Sequence, residues 1–471
     1  MTQIGAVARG GWRELLGPRN LGASTVLAGG VALYATNEFL TISLLPSAVA
    51  EIGGQRLYAW VTTVYLVASV AAATTVSATL ARVGPRWAYL AGLGVFGLGS
   101  LLCAVAPTME FLLAGRIVQG AAGGLLAGLG YAVINSALPQ SLWTKASALV
   151  SAMWGVGTLL GPAAGGFFAQ FGSWRWAFGV LVALAAGIAV LVPFALPGRA
   201  AGTAIVRDRI PVWSLLLLGS AALAVSVAGI TDNVWWTAAL LAAGAGLVAL
   251  FLLVDRRTVA AVLPPSVFRP GPLKWIYLTL GMLMAATMVD LYVPLFGQRL
   301  AHLVPVAAGF LGVALAIGWT ISEIASASVI RPQAIVRIVA VAPLVMAVGL
   351  AIAAVSQVQD ASAGLIAIWV MALMVTGIGV GMAWPHLSAW AMGCVDDPVE
   401  GGRAAAAINT VQLMFGAFGA GLAGVVVNMT ESGDAAPARW LFATFAVLAA
   451  FGAVASFRSG VVGSDSGRQT S

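Results

Sequence analysis

The chain has 471 residues, of which 61% are hydrophobic and only 8% are charged. A soluble domain carries about 25% charged residues, so this composition excludes an ordinary soluble protein. Apolar runs of roughly 20 residues recur along the chain and predict a helical protein that crosses a membrane many times. The net charge of +7 would suggest a nucleic-acid partner in a soluble protein. Here the distribution of positive residues along membrane loops explains it better, so no nucleic-acid partner is expected.

Fourteen apolar segments are predicted to cross the membrane. They cover residues 22–48, 57–81, 87–106, 110–134, 146–170, 176–197, 212–230, 234–254, 275–297, 304–328, 338–356, 363–386, 404–428 and 440–457. An even number of spans puts both termini on the same side of the membrane. The fold class is therefore predicted to be all-α and polytopic.

The positions of the basic residues predict the orientation of these spans. With both termini in the cytoplasm, only four of the 23 Lys and Arg residues fall in outer loops, namely Arg56, Arg175, Arg299 and Arg439. Arg116 falls within a span, and all the others fall in predicted cytoplasmic segments. This asymmetry follows the positive-inside rule. The predicted location is a bacterial inner membrane, with both termini in the cytoplasm.

The two longest polar connections predict how the chain is organised. They lie near residues 198–211 and 255–274 and separate six spans, two spans and six spans. We therefore expect an N-terminal six-helix bundle over 1–200, an inserted two-helix segment over 201–274, and a C-terminal six-helix bundle with a short cytoplasmic tail over 275–471. Glycine-rich segments recur eight spans apart, in spans 4 and 12 and in spans 5 and 13. Parallel repeats of this kind are typical of secondary transporters.

Span 5 contains the most regular of these segments, GVGTLLGPAAGG. Gly157, Gly161 and Gly165 are four residues apart and share one helix face, which allows another backbone to approach closely. Pro162 lies within this run and removes a backbone donor, so the helix is expected to bend or weaken there. Such a helix suits a sliding or rocking contact.

Four ionisable residues fall within predicted spans: Glu38, Arg116, Asp290 and Glu323. A charge at the centre of a bilayer costs roughly 2.5–3.5 kcal/mol, so such residues usually face a cavity or a partner. The three acids are candidate proton carriers, and Arg116 is a candidate partner for the coupling carboxylate. The structural alternative is that each one ties neighbouring helices together by hydrogen bonds.

Five further residues are candidates for binding a lipophilic substrate: Asn37, Trp154, Tyr292, Trp384 and Asn409. Aromatic side chains in spans can line an apolar pocket, although they can equally face lipid or lie in the interfacial belt. The chain has only two histidines, without a set of metal ligands around them, and no GxxxxGK[ST] sequence. A membrane transferase would need clustered His, Asp or Arg at one interface. We therefore expect no metal, no cofactor beyond a proton gradient and no enzymatic activity.

Several of these motifs resemble the major facilitator superfamily. The sequence LLAGRIVQGAAGG over 112–124 is similar to the RxxQG pattern of that family's fourth helix, with Arg116, Gln119 and Gly120 at the matching positions. The glycine run followed by Pro162 resembles the family's antiporter motif in helix 5, and the sequence WRW over 174–176 follows it. Together with the division into six, two and six spans, the chain resembles the fourteen-span drug:proton antiporter branch.

The sequence departs from the family pattern in two places. After span 2 it reads SATLARVGPRWAYL, with Ser77 and Ala81 where the family usually has Gly and Asp. In helix 1, Asn37 stands where the family usually has Asp, and Glu38 follows one residue later. One residue turns a helical side chain by about 100°, so Glu38 need not take over the role of that Asp.

The resemblance implies export of lipophilic or amphipathic compounds, driven by protons and carried out by alternating access of two bundles around a central site. The glycine run is expected at the contact between the bundles. The expected partners are protons, small lipophilic or cationic molecules and membrane lipids, and the protein is expected to be a monomer. An exporter of an endogenous lipid, siderophore or metabolite, and an uncoupled facilitator, remain alternatives.

Overall fold

The computed structural model describes residues 11–198, 210–258, 261–394, 398–430 and 435–466, and their regular structure is entirely helical. The α-helices are α1 Trp12–Leu15, α2 Leu21–Ile52, α3 Trp60–Ala73, α4 Val76–Ala104, α5 Met109–Ala132, α6 Ile134–Ala137, α7 Trp143–Phe171, α8 Trp174–Ala195, α9 Val212–Ala228, α10 Val234–Arg257, α11 Leu273–Thr287, α12 Val293–Ala301, α13 Pro305–Ala327, α14 Pro332–Ser356, α15 Ala363–Gly393, α16 Pro398–Asn428 and α17 Ala436–Ser466. The all-α prediction is confirmed for these residues.

Twelve helical segments in the described part of the chain are long and apolar enough to cross a membrane. The predicted spans 1 and 7 correspond to α2 and α9, which are not among the twelve. Helix α2 has 32 residues, but Asn37 and Glu38 near its middle lower its mean hydropathy. Helix α9 has only 17 residues. A multi-span membrane protein is therefore confirmed, whereas the count of fourteen spans is not.

The second predicted span and the connection after it differ from the expectation. Helix α3 ends at Ala73, and α4 starts at Val76 and continues past the predicted loop. A sharp turn inside α4 takes the place of that loop, because Gly84 has φ 77° and ψ 171°. This left-handed conformation favours glycine. Arg86 then donates from Nε to the carbonyl of Leu196, at 3.2 Å, which fixes the turn to the end of α8.

The chain divides into two compact units. Unit 1 comprises Met1–Thr41 and Ala68–Ile210, and unit 2 comprises Ile42–Val67 and Pro211–Ser471. The last third of α2 and most of α3 thus belong to unit 2. The three segments expected over 1–200, 201–274 and 275–471 remain a prediction. Most of the first long connection, residues 199–209, and the tail after 466 lie outside the described residues.

Small residues allow close helix packing within each unit. In unit 1, a Cβ on Gly99 of α4 would lie 2.6 Å from the backbone nitrogen of Gln119 on α5. In unit 2, a Cβ on Gly379 of α15 would lie 2.5 Å from the backbone nitrogen of Met346 on α14. Packing of this kind drives helix association in lipid, where burial of apolar surface contributes little.

Candidate functional site

The glycine run of α7 packs against α2 within unit 1. A Cβ on Gly157 would lie 2.5 Å from Cβ of Ala35, and a Cβ on Gly161 would lie 2.6 Å from Cβ of Phe39. It would also lie 2.9 Å from the backbone nitrogen of Leu40. Both helices therefore depend on the absence of side chains at these positions.

The other residues of the glycine run differ in burial. Pro162 and Gly165 are buried, whereas Gly155 is exposed and a Cβ there would have no atom within 4 Å. The contact seen for Gly157 and Gly161 lies within one unit, whereas the sequence predicted a contact between two bundles. The conformational role of this motif stays a prediction.

Glu38 is buried in α2, directly beside the segment that the glycines contact. Its side chain is 8% exposed, and its Oε2 atom has no hydrogen-bond partner among the described residues. Asn37 is fully buried, and neither side-chain atom of this amide has a partner there. Arg116 of α5 acts electrostatically on Glu38. The predicted acid therefore lies within electrostatic range of the predicted arginine.

A network of hydrogen bonds holds Arg116 in place between α4 and α5. Its Nη1 atom donates to Oε1 of Gln119 at 2.9 Å, and Nε2 of Gln119 donates to Oγ of Ser100 at 2.9 Å. The thiol of Cys103 donates to the same Oε1 atom at 3.4 Å. Arg116 is only 1% exposed. The motif residue Gln119 thus orients the guanidinium. Polar side chains that bond one another in this way rigidify an otherwise apolar helix pair.

The neighbouring glycines of α5 bring a third helix into this region. Oγ of Ser69, at the end of α3 that belongs to unit 1, donates to the carbonyl of Gly120 at 3.0 Å. A Cβ on Gly124 would overlap the backbone of Ser69. The RxxQG sequence therefore supplies the charge of Arg116, the hydrogen-bond acceptor Gln119 and the backbone contact at Gly120.

Trp154 also lies in unit 1, one turn before Gly157. Its ring contacts Tyr34 edge to face, with centroids 5.4 Å apart. Tyr34 lies one turn before Glu38 on α2. This aromatic pair adds an apolar surface one turn from the buried acid, and the part of Trp154 in substrate binding stays a prediction.

In unit 2, Asp290 and Tyr292 lie in a short 3₁₀ segment, Met288–Tyr292, between α11 and α12. Oδ1 of Asp290 would lie 2.6 Å from a Cβ on Gly312, so this glycine makes room for the carboxylate. The ring of Tyr292 is fully buried and stacks on Tyr58, with centroids 4.8 Å apart. Tyr292 is therefore part of a packed aromatic group in this structure.

Glu323, Trp384 and Asn409 lie elsewhere in unit 2. Nε1 of Trp319 donates to Oε2 of Glu323 at 2.9 Å, and the ring of Trp319 lies 5.2 Å from that of Trp384. Glu323 and Trp384 are partly buried, and Asn409 on α16 is exposed. Glu323 thus has a neutral donor as its hydrogen-bond partner, and it forms no ion pair with another described residue.

Sequence reasoning missed Ser69, Ser100, Tyr34 and Cys103. None of them belongs to a charge or glycine pattern, and small hydroxyl residues are frequent in membrane helices. Two sequence features could have indicated them: a polar residue one turn from a buried charge, and a polar residue on a helix that packs against RxxQG. Among the described residues, no group of three or more His, Cys, Asp or Glu is arranged to hold a metal ion.

The described residues define a polytopic helical membrane protein with buried charges at helix contacts made by glycine. The family model "Major Facilitator Superfamily" matches residues 27–420. The chain belongs to this superfamily, which confirms the family prediction from RxxQG and the glycine run. It is a membrane transporter and not an enzyme.

The relatives agree with this assignment. A protein of Mycobacterium tuberculosis named "Probable multidrug-efflux transporter" is 64% identical over 464 residues, which cover 98% of each chain. Two solved structures share the fold. A bacterial homolog of the human lysosomal transporter Spinster has a TM-score of 0.67 at 12% identity, covering 95% of this chain and 98% of its own. The nucleoside transporter NupG has a TM-score of 0.64 at 14% identity, covering 94% and 99%.

Proposed function

We propose that this chain exports lipophilic or amphipathic compounds, antibiotics among them, across a bacterial inner membrane in exchange for protons. The name of the mycobacterial relative supports the efflux of drugs. The fourteen-span topology, with both termini in the cytoplasm and α9 and α10 as an accessory pair, belongs to the same proposal. The positive-inside asymmetry and the 32-residue length of α2 support it.

The observation that carries proton coupling is the buried carboxyl of Glu38. One of its oxygens has no hydrogen-bond partner among the described residues, and Arg116 acts on it electrostatically. A carboxyl in this setting has two states that differ strongly in charge and solvation, so a proton arriving from water changes the local free energy. In alternating access, this difference would favour one orientation of the transporter over the other.

Asn37 and Trp154 are proposed to contact the substrate near this acid. The fully buried amide of Asn37 has no partner among the described residues, and a buried unsatisfied amide is costly. A substrate with hydrogen-bonding groups would satisfy it. Tyr292, Trp384 and Asn409 remain candidate substrate residues in unit 2, and Asp290 and Glu323 remain alternative proton carriers.

The test uses proteoliposomes with an imposed pH gradient and a fluorescent lipophilic cation. Glu38→Gln should lower gradient-driven transport more than tenfold while the cation still binds, because the neutral amide cannot exchange a proton. Glu110→Gln is the matched control, since Glu110 is exposed in the first turn of α5. Full gradient-driven transport by Glu38→Gln would contradict the role of this residue. Wild-type transport that a protonophore leaves unchanged would favour an uncoupled facilitator.

A second assay distinguishes the physiological cargo. A deletion strain that becomes drug-sensitive with unchanged envelope lipids and metabolites supports drug export. Altered lipids or retained metabolites without a change in drug sensitivity would instead support export of an endogenous compound.

A further inference from the structure

Unit 2 contains an apolar crevice that the proposed transport cycle does not use. Its volume is about 910 Å³, and it lies between α10, the connection after α10, α11 and α16. This size is within the range of roughly 300–1,000 Å³ that is typical of small-molecule sites. The walls are largely aromatic and aliphatic, and four phenylalanines line them: Phe251, Phe268, Phe415 and Phe418.

Two cations, Arg256 and Lys274, line the same crevice. Arg256 is in the last turn of α10 and Lys274 is in the first turn of α11. Neither forms an ion pair with an acid in the described part of the chain. Both lie on the side that the basic residues predict to be cytoplasmic. The crevice therefore pairs a long apolar body with a positively charged end.

The buried carboxylate of Asp255 accepts hydrogen bonds from uncharged groups and forms no ion pair with either cation in the described part of the chain. It is 1% exposed and accepts three hydrogen bonds, from Oγ of Ser214 at 2.7 Å and from the backbone nitrogens of Val262 and Leu263 at 2.8 and 2.9 Å. These bonds fix the start of the connection after α10 against α9 and α10. Because Val262 and Leu263 line the crevice, Asp255 shapes its wall.

A tryptophan ring, Trp275, lies beside Lys274. Nζ of Lys274 lies 5.8 Å from the ring centre of Trp275, and the guanidinium of Arg458 lies 4.6 Å above the same ring. Tryptophan and basic side chains gather where lipid headgroups meet the hydrocarbon region. The positively charged end of the crevice thus has the surroundings of a headgroup site.

We propose that an anionic phospholipid occupies this crevice, with its phosphate at Arg256 and Lys274 and an acyl chain among the phenylalanines. Basic pockets between membrane helices on the cytoplasmic side bind anionic headgroups. A lipophilic cation, the expected cargo, would be repelled by the same two residues. The lipid would fill the space between the accessory pair and α11 and α16, and so stabilise their packing.

Retention of lipid by the purified protein tests this proposal. Full-length protein is reconstituted into nanodiscs with equal parts of phosphatidylglycerol and phosphatidylethanolamine, and the lipids retained on release are measured by native mass spectrometry. Arg256→Gln/Lys274→Gln should weaken retention of phosphatidylglycerol about 30-fold, given the contribution of each basic residue near an anionic headgroup. The control is Arg331→Gln/Arg337→Gln, which removes two exposed cations outside the crevice and should retain the lipid.

A second pair of variants tests whether an acyl chain occupies the crevice, and both variants keep Arg256 and Lys274. Ala249 lines the crevice, so Ala249→Trp should displace the lipid. Ala243→Trp, at an exposed position on another face of α10 that does not line the crevice, should not. Equal retention by Arg256→Gln/Lys274→Gln and its control would overturn the proposal, as would equal retention of phosphatidylethanolamine. Retention of lipid by Ala249→Trp would indicate that the phosphate binds at the surface without an acyl chain in the crevice. A fluorescent dye that binds in place of lipid would make the crevice a cargo site. Each of these two results would also overturn the proposal.

Discussion

Glu38 in unit 1 and Glu323 in unit 2 both lie in long apolar helices, but the two carboxyls have different partners. Glu38 lies near a buried arginine and keeps one oxygen without a partner among the described residues. Glu323 is partly exposed and accepts a hydrogen bond from the neutral indole of Trp319. A buried charge needs a partner of opposite charge, whereas for a partly exposed charge a neutral hydrogen-bond donor and water are sufficient. The comparison therefore favours unit 1 as the site where a proton is exchanged.

The largest effect should come from removing the cation of unit 1. Arg116→Met leaves Glu38 without its neighbouring positive charge and removes a donor from Gln119. Leaving a buried polar group without its partner costs about 1–3 kcal/mol and more beside a charge, so the free energy of unfolding should fall by about 3 kcal/mol. Denaturant titration of the purified protein measures it.

The control for this change is Arg337→Met, which removes an exposed arginine of α14. Adding Glu38→Gln to Arg116→Met should recover part of the lost stability, since the remaining partner is then neutral. If Arg116→Met is no worse than its control, or if the two changes are simply additive, Glu38 and Arg116 are not coupled.

The next test concerns the helix contact beside Glu38. Gly161→Val would place a branched side chain against the α2 backbone at Leu40, so α7 and α2 must separate. Overpacking of this kind costs typically 1–3 kcal/mol, and transport of a fluorescent cation should fall at least tenfold while the protein still inserts. Gly155→Val is the matched control, because a Cβ there meets nothing within 4 Å. Equal transport by both variants would reduce the glycine run to ordinary packing.

A smaller effect is expected at the acid of unit 2. Glu323→Gln keeps an oxygen that can accept the hydrogen bond from Trp319, so gradient-driven transport should change less than about threefold. The assay is the one proposed for Glu38→Gln, measured side by side. If Glu323→Gln is the more damaging of the two, the comparison is reversed and the proton site belongs to unit 2. Trp319→Phe, which removes the donor and keeps a ring, separates the loss of this bond from the loss of charge.

The sequence predicted the class of fold because membrane helices must satisfy their own backbone hydrogen bonds, which leaves long apolar runs in the sequence. It also predicted that Glu38, Arg116 and the glycine run matter, since a charge in such a run is costly and glycines four residues apart let another backbone approach closely. Glu38 is buried beside the segment that Gly157 and Gly161 contact, and the roles of these residues stay predictions.

Other features depend on tertiary contacts that no local pattern encodes. Ser100 and Ser69 bind Gln119 and Gly120 from other helices, and hydroxyl residues are too common in membrane helices to stand out. The sequence predicts a loop around Gly84, and the structure has a non-helical break there, but the sharpness of this turn has no local signature. The 3₁₀ segment that carries Asp290 and Tyr292 also has no distinct sequence signature, so Tyr292 was considered only as a pocket residue.

The smallest effect is predicted for the exposed pair Arg56 and Asp232 of unit 2, whose closest atoms are 2.7 Å apart. The hydrogen bond from Arg56 lowers the pKa of Asp232 below its ordinary range. The pair is therefore complete above that ordinary range and is lost only as the pH falls through the lower value in the folded protein. Between pH 5 and 8 its charge state is constant. Transport by Asp232→Asn should keep the wild-type pH profile over this interval, whereas Glu38→Gln should flatten that profile. A flat profile for Asp232→Asn would mean that a surface acid, and not the buried one, sets the pH dependence of transport.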